Sequence, residues 1–246
     1  MKFVSNLLIA VSASCALAAP GPRRRHISGP YPLTKDSTNL AGRQNVQQPW
    51  AGAVQEGEGF GYVTGIVKVP SITGQPSNYA VSAWVGIDGM NCRNAILQTG
   101  LSFYGDGSID PWYEWWPAWS YTYANPAFRV SAGDEVRMTV NAWTTTSGNS
   151  TLENLTTGQT VVQTFSNQAA LCNTDAEFVL EDFGDGNGGH VPLVNFGEID
   201  IYNTSAYGRN GWVNAQGANI VNLEIDGRVR SSCGSNANGV RCDYLS

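Results

Sequence analysis

The chain has 246 residues, 42% apolar and 11% aromatic, enough to bury a sizeable core in one large β domain or two small ones. Only 14% of residues are charged, and there are 28 Gly and 8 Trp, a composition that argues against coiled coils, helix bundles and disordered tails. The formal net charge of −6 argues against nucleic acid as the main partner.

Residues 1–18 read as a secretory signal peptide. Lys2 is its basic start, Val4 to Leu17 its apolar stretch, and Ala16-Leu17-Ala18 a small-x-small cleavage site. The apolar run is too short for a membrane span, and no later segment approaches one. The expectation is an exported, soluble protein without a membrane partner. Residues 19–45 hold Pro20, Pro22, Pro30, Pro32 and the run Arg23-Arg24-Arg25, and read as a propeptide or disordered arm. Removing the six bases and one acid of residues 1–45 from the chain's 14 and 20 leaves 8 and 19, a net of −11 for residues 46–246. A basic arm on so acidic a domain can dock in an acidic cleft, so the arm is either an inhibitory propeptide or a plain processing linker.

From residue 46 onward the pattern has period two. Glu135-Val136-Arg137-Met138-Thr139-Val140-Asn141-Ala142 alternates strictly, with similar runs at 61–69, 79–87, 159–165, 176–183, 194–202 and 218–225. Turn signals such as Asp106-Gly107, Ser147-Gly148-Asn149 and Asp185-Gly186-Asn187-Gly188 separate them. No stretch of twelve residues carries a helical period free of Gly and Pro. Residues 46–246 therefore read as one all-β domain, an antiparallel β-sandwich of ten or more strands, expected to be a monomer.

Cys15 leaves with the signal, and four cysteines remain. Cys233 and Cys242 flank a Gly/Asn turn and are expected to pair, which leaves Cys92 with Cys172. No C-x-x-C spacing suggests a metal. Three N-glycosylation sequons begin at Asn149, Asn154 and Asn203.

The two histidines, His26 and His190, exclude a His-rich metal site, and no G-x-S-x-G accompanies His190. Carboxylates and amides remain for chemistry. Glu198 and Asp200 have the spacing of part of the sandwich-fold glucanase signature, but the closing Glu is absent. Glu177, Val179 and Glu181 share one face of a strand, with Phe178 and Leu180 on the other. Four Trp within Trp112–Trp119 suggest an aromatic groove for a polymer.

Five stretches follow one another along residues 50–205: Trp84-Val85-Gly86-Ile87-Asp88-Gly89, Ala95-Ile96-Leu97-Gln98-Thr99-Gly100, Trp112-Tyr113-Glu114-Trp115, Glu153-Asn154-Leu155-Thr156-Thr157-Gly158-Gln159 and Ala176-Glu177-Phe178-Val179-Leu180-Glu181-Asp182-Phe183. Their order and spacing resemble the glutamic peptidases, or eqolisins, of fungi. The resemblance implies a concanavalin A-like sandwich of two large curved sheets. It implies a secreted, pepstatin-insensitive acid endopeptidase acting on polypeptides without metal or cofactor. Its catalytic Gln falls on Gln98 and its catalytic Glu on Glu181. The alternation alone does not separate Glu181 from Glu177. Trp84, Asp88, Trp112, Glu114 and Glu177 are expected along the substrate groove. Cys92 and Cys172 stand where a family disulfide would lie. Where some members carry an Asp four residues beyond the Gln, this chain has Ser102. The competing readings are a sandwich-fold glycan hydrolase and a non-catalytic carbohydrate-binding protein.

Overall fold

The computed structural model describes residues 29–30, 48–184 and 190–246. The expected signal peptide lies outside the described residues, as does the arm apart from Gly29 and Pro30. In chain order the strands are β1 (Trp50–Glu56), β2 (Tyr62–Lys68), β3 (Ala80–Ile87), β4 (Ile96–Tyr104), β5 (Ile109–Trp116), β6 (Tyr121–Thr122), β7 (Glu135–Thr144), β8 (Ser147–Asn154) and β9 (Gln159–Phe165). They continue as β10 (Asp175–Glu181), β11 (Glu198–Gly208), β12 (Gly211–Val213), β13 (Asn219–Val221), β14 (Glu224–Ile225), β15 (Arg228–Val229), β16 (Ser231–Ser235) and β17 (Gly239–Tyr244). A seven-stranded antiparallel sheet runs β13-β1-β10-β3-β4-β5-β6. An eight-stranded sheet runs β16-β17-β11-β2-β7-β8-β9, and β12 pairs with β11. No helix occurs among the described residues. The fold is an all-β sandwich.

Alternation builds the core between the sheets. Val136, Met138 and Val140 of β7 point inward with Leu152 of β8 and meet Val81, Ala83, Val85, Leu97, Leu101, Phe178 and Leu180 from the opposite sheet. Strands β3, β4 and β10 are buried along their whole length, on both faces. On the face turned away from the core, Trp50, Val54, Trp84, Met90, Ile96, Trp112 and Val179 form a second apolar cluster.

Three expected strands differ at their ends. The run 194–202 becomes a strand only at Glu198, because Gly197 adopts φ +63° and its N–H donates to the Asn195 side chain. The run 218–225 breaks between Val221 and Glu224, where Asn222 turns its side chain to the Cys233 N–H. The run 176–183 stops at Glu181. Both expected disulfides, Cys92–Cys172 and Cys233–Cys242, are present. The first ties the chain after β3 to the chain before β10.

Gly100 fixes how closely β3 and β4 approach on the outer face. A Cβ there would stand 2.3 Å from the Ala83 carbonyl oxygen and 2.6 Å from Trp84 Cβ. Gly100→Ala is therefore expected to destabilise the domain by about 1–3 kcal/mol through overpacking. Urea unfolding of the purified variant measures the loss.

Candidate active site

The register of the seven-stranded sheet lays the predicted site residues in three rows across its outer face. One row runs Val54, Glu177, Gly86, Gln98, Glu114 from β1 to β5. The next runs Gly52, Val179, Trp84, Gly100, Trp112. The third runs Trp50, Glu181, Ser82, Ser102, Asp110. Gln98 and Glu181 thus stand on one face, on strands separated only by β3, with Trp84 in the row between them.

Each is held by a partner. Gln98 Nε2 donates to Glu114 Oε2 at 2.7 Å, and Trp84 Nε1 donates to Glu181 Oε2 at 2.8 Å. Trp84 is itself packed edge-on against Trp50, ring centroids 4.9 Å apart. Burial pushes the Glu114 carboxyl well above its ordinary range, the Glu181 charge pushes it further, and the Gln98 hydrogen bond acts against both. The Glu114 carboxyl therefore links Gln98, by a hydrogen bond, to Glu181, by repulsion. Beside Glu181 in register, the Ser82 and Ser102 hydroxyls are fully buried and hydrogen-bonded to each other at 2.8 Å. This pair does not titrate in the acid range.

Two residues expected along the groove have other tasks. Asp88 accepts from the Cys172, Asn173, Thr174 and Asp175 N–H groups and from the Thr174 hydroxyl, with its carboxylate wholly engaged in shaping the chain before β10. It sits at φ 70°, where Asp is tolerated better than a branched residue. Glu177 is fully buried, and neither of its carboxylate oxygens has a hydrogen-bond partner. A Cβ on Gly86 would stand 2.7 Å from Trp84 Cζ3, so the indole lies over Gly86, between Glu177 and Gln98 in their row. Burial is the main cause of the raised Glu177 pKa, followed by the charges of Asp175 and Asp88. The two acids that alternation leaves equivalent are thus unlike: Glu181 faces Trp84 and Glu114, Glu177 faces the acids at the end of β10. Trp84, Trp112 and Glu114 lie on the same sheet face as Gln98 and Glu181, all buried.

The sequence reading missed Trp50 and Ser82. The alternation that places Trp84 outward also places Ser82 outward, but the register that brings it beside Glu181 is a tertiary fact. Elsewhere, Glu198 is exposed on the other sheet and ion-paired with Arg241. Its cross-strand neighbour is Asp243, and Arg241 pairs with both, so these acids are held in a surface ion-pair cluster.

The all-β sandwich thus brings an amide, Gln98, and a carboxylate, Glu181, to one face of one sheet. The sequence model of the peptidase A4 family matches residues 48–244. The chain is 36% identical to aspergillopepsin-2 of Aspergillus niger and to scytalidopepsin B of Scytalidium lignicola, over the full length of all three. A crystal structure of scytalido-glutamic peptidase with a transition-state analogue inhibitor superposes with TM-score 0.76 at 38% identity, covering 82% of this chain and all of that one. Aspergilloglutamic peptidase from Aspergillus niger matches with TM-score 0.64 at 40% identity, over 68% of this chain and 99% of that one. The chain belongs to the peptidase A4 family, the glutamic peptidases, and is an endopeptidase.

Because the folded-state pKa of Glu177 lies above its unfolded value, the folded state holds the proton more tightly. The associated stability is complete below the ordinary Glu range and is lost as pH rises through the folded pKa. Glu177→Gln, which keeps the shape, is expected to leave thermal stability near pH 3 almost unchanged. At neutral pH it should raise stability by about 1.4 kcal/mol for each pH unit that the carboxyl had been shifted across. Thermal unfolding of both proteins from pH 3 to pH 7 tests this.

Proposed function

We propose that this chain is a secreted acid endopeptidase in which Glu181 is the general base and Gln98 the oxyanion donor. The observation that carries the reading is the shared face of these two side chains, each fixed by its own partner, with Glu114 in electrostatic reach of Glu181. Glu181, as carboxylate, takes a proton from water while the water oxygen attacks the scissile carbonyl carbon. Gln98 Nε2 donates to Glu114, which fixes the amide, and in the proposed reaction the same amide nitrogen donates to the oxygen that becomes negative. Glu181 then returns its proton to the amide nitrogen, the C–N bond breaks, and an acid and an amine leave.

The residue choice suits an acid medium. An amide does not titrate, so Gln98 keeps its donors when carboxylates protonate. Glu has an ordinary pKa of about 4.3, whereas a His base would be protonated and inactive there. Glu114, pushed upward, is neutral at such pH and adds no second charge beside Glu181, yet its carbonyl oxygen still accepts from Gln98. Among solved relatives, one is described in complex with the tripeptide Ala-Ile-His and another with a peptide-based transition-state analogue, which supports an extended polypeptide as substrate.

The same reading makes the arm an inhibitor. Gly29 stands at the Trp116 edge of the candidate groove, where a Cβ would lie 3.9 Å from Trp116 Nε1. By charge, the basic run Arg23-Arg24-Arg25 that precedes it in sequence complements a domain of net −11.

Digestion of an unfolded protein at about pH 3, near carboxylate pKa values, with pepstatin present, tests the chemistry. Glu181→Gln is expected to lower kcat by about 10²–10⁴-fold, and Gln98→Ala by about 10²–10³-fold. Glu177→Gln should retain activity. Loss only in Glu177→Gln would move the base, and no digestion by correctly processed wild type would reject the reading.

Trp84→Phe keeps an aromatic ring and removes the donor to Glu181. Since that bond favours the charged carboxylate, the acid limb of the kcat/KM profile should move to higher pH. An unmoved limb would show that Trp84 does not tune the base.

A synthetic peptide of residues 19–45 is expected to inhibit the mature domain near neutrality and to release it at about pH 3, as the cleft carboxylates protonate. Absence of inhibition near neutrality would leave the arm a linker.

A further inference from the structure

On the outer face of the eight-stranded sheet, away from the candidate groove, the register lines up Trp212, Tyr207, Tyr62, Asn141, Asn149 and Thr164 in one row across β12, β11, β2, β7, β8 and β9. None of the six is charged. Trp212 is 65% exposed, Tyr207 49%, and Trp143 beside the row 56%. Tyr62 and Tyr207 pack against the Trp212 ring, with centroids 5.7 and 5.0 Å away. With the Asn141 amide nitrogen donating to the Gly61 carbonyl at 3.2 Å, its oxygen accepts from Trp143 Nε1 at 3.1 Å, which lays the Trp143 indole against the row. Three exposed aromatic rings gathered on one uncharged stretch of a sheet face mark a contact surface.

A residue of the row itself can carry the group that makes this contact. Asn149 opens the sequon Asn149-Ser150-Thr151. It is half-buried between the inward-facing Gly148 and Ser150, so its side chain points outward. The other two sequons differ. Asn154 is 1% exposed, and its amide donates to the Arg129 carbonyl and Asp134 while accepting from the Thr156 and Thr157 N–H groups. No glycan fits on that nitrogen in the folded domain. Asn203 is exposed on the bulge of β11, at φ 48°, outside the row.

We propose that Asn149 carries an N-linked glycan whose sugars lie along the row, on Trp143 first and then on Tyr62 and Trp212. Strands are spaced about 4.8 Å apart, so Tyr62 stands two strands, about 10 Å, from Asn149, within reach of the first sugars. The C–H faces of pyranose rings pack on indole and phenol rings, and the Asn141, Thr164 and Tyr hydroxyl groups supply neutral hydrogen-bond partners at the edges. The inference rests on export of the chain and not on its peptidase chemistry.

The test uses the full precursor expressed in a glycosylating yeast, with the protein recovered from the medium. Glycopeptide mass spectrometry is expected to find Asn149 occupied and Asn154 bare. Enzymatic trimming should lower Tm by about 2–4 °C in wild type and expose tryptophan to iodide quenching. In Trp212→Ala, trimming should shift Tm by a much smaller amount, the non-additivity expected of groups in contact. Trp212→Phe and the quenching measurement on wild type serve where Trp212→Ala folds poorly. Asn149→Gln should keep full activity. Protein in the medium with Asn149 bare overturns the proposal alone, while an unmodified chain retained in the cell overturns export and the proposal together. Equal trimming effects in wild type and Trp212→Ala, or retention of soluble β-glucan by the row in glycosylated wild type, would overturn the packing.

Discussion

Trp84 occupies its place only because Gly86 and Gly100 have no side chains. A Cβ on Gly86 would press the indole edge at 2.7 Å, and one on Gly100 would press Trp84 Cβ at 2.6 Å. With both absent, the ring lies across β3, its nitrogen reaches Glu181, its edge meets Trp50, and its bulk stands between Glu177 and Gln98. Glu181 is oriented by this ring, and Glu177 is walled off by it. Gln98 in turn is oriented from its other side by Glu114. The chemistry proposed for the pair therefore depends on packing in a layer of tryptophan more than on either residue's own flexibility, as preorganisation requires.

The electrostatics of the molecule point the same way. Burial raises the carboxyls of Glu114, Glu177, Asp175 and Asp182 above their ordinary range. Each is most easily carried buried when protonated, so the fold carries these groups at least cost in acid. Asp182 is partly held down by His190, whose Nδ1 lies 3.4 Å from its carboxylate. Gln98, the proposed oxyanion donor, is an amide, and the Ser82–Ser102 pair beside Glu181 is a pair of hydroxyls, so neither changes charge in acid. Lys68 is the only lysine after residue 45, so the domain gains little repulsive charge as acids are neutralised. One scheme of residue choice serves both stability and the proposed reaction.

The two sheets were unequally legible. In β7 and β8 buried and open residues alternate, because one face meets the core and the other meets water, and β7 was read directly from its pattern. β4 and β10 are buried on both faces, so their apolar residues run together. β4, with Gln98 at its third position, carries no periodic signal, and the sequence singles out Gln98 only through the family resemblance of Ala95-Ile96-Leu97-Gln98-Thr99-Gly100. The strand ends at 197 and 222 are decided by a left-handed Gly and by a side chain bonded to a distant N–H, which hydropathy does not report.

By itself the amino-acid sequence determined the all-β class, the cysteine pairing, the acidic character of the domain and the restriction of its chemistry to carboxylates and amides. Those follow from composition, period and local spacing, which are properties of neighbours in the chain. Which of Glu177 and Glu181 faces Gln98's partner, that Asp88 is committed to the chain before β10, that Asn154 is buried and hydrogen-bonded while Asn149 points outward, were decided only by the tertiary structure. Each depends on strand register and on what packs over a side chain from elements far away in sequence, and a period of two cannot tell one residue on a face from the next residue on that face.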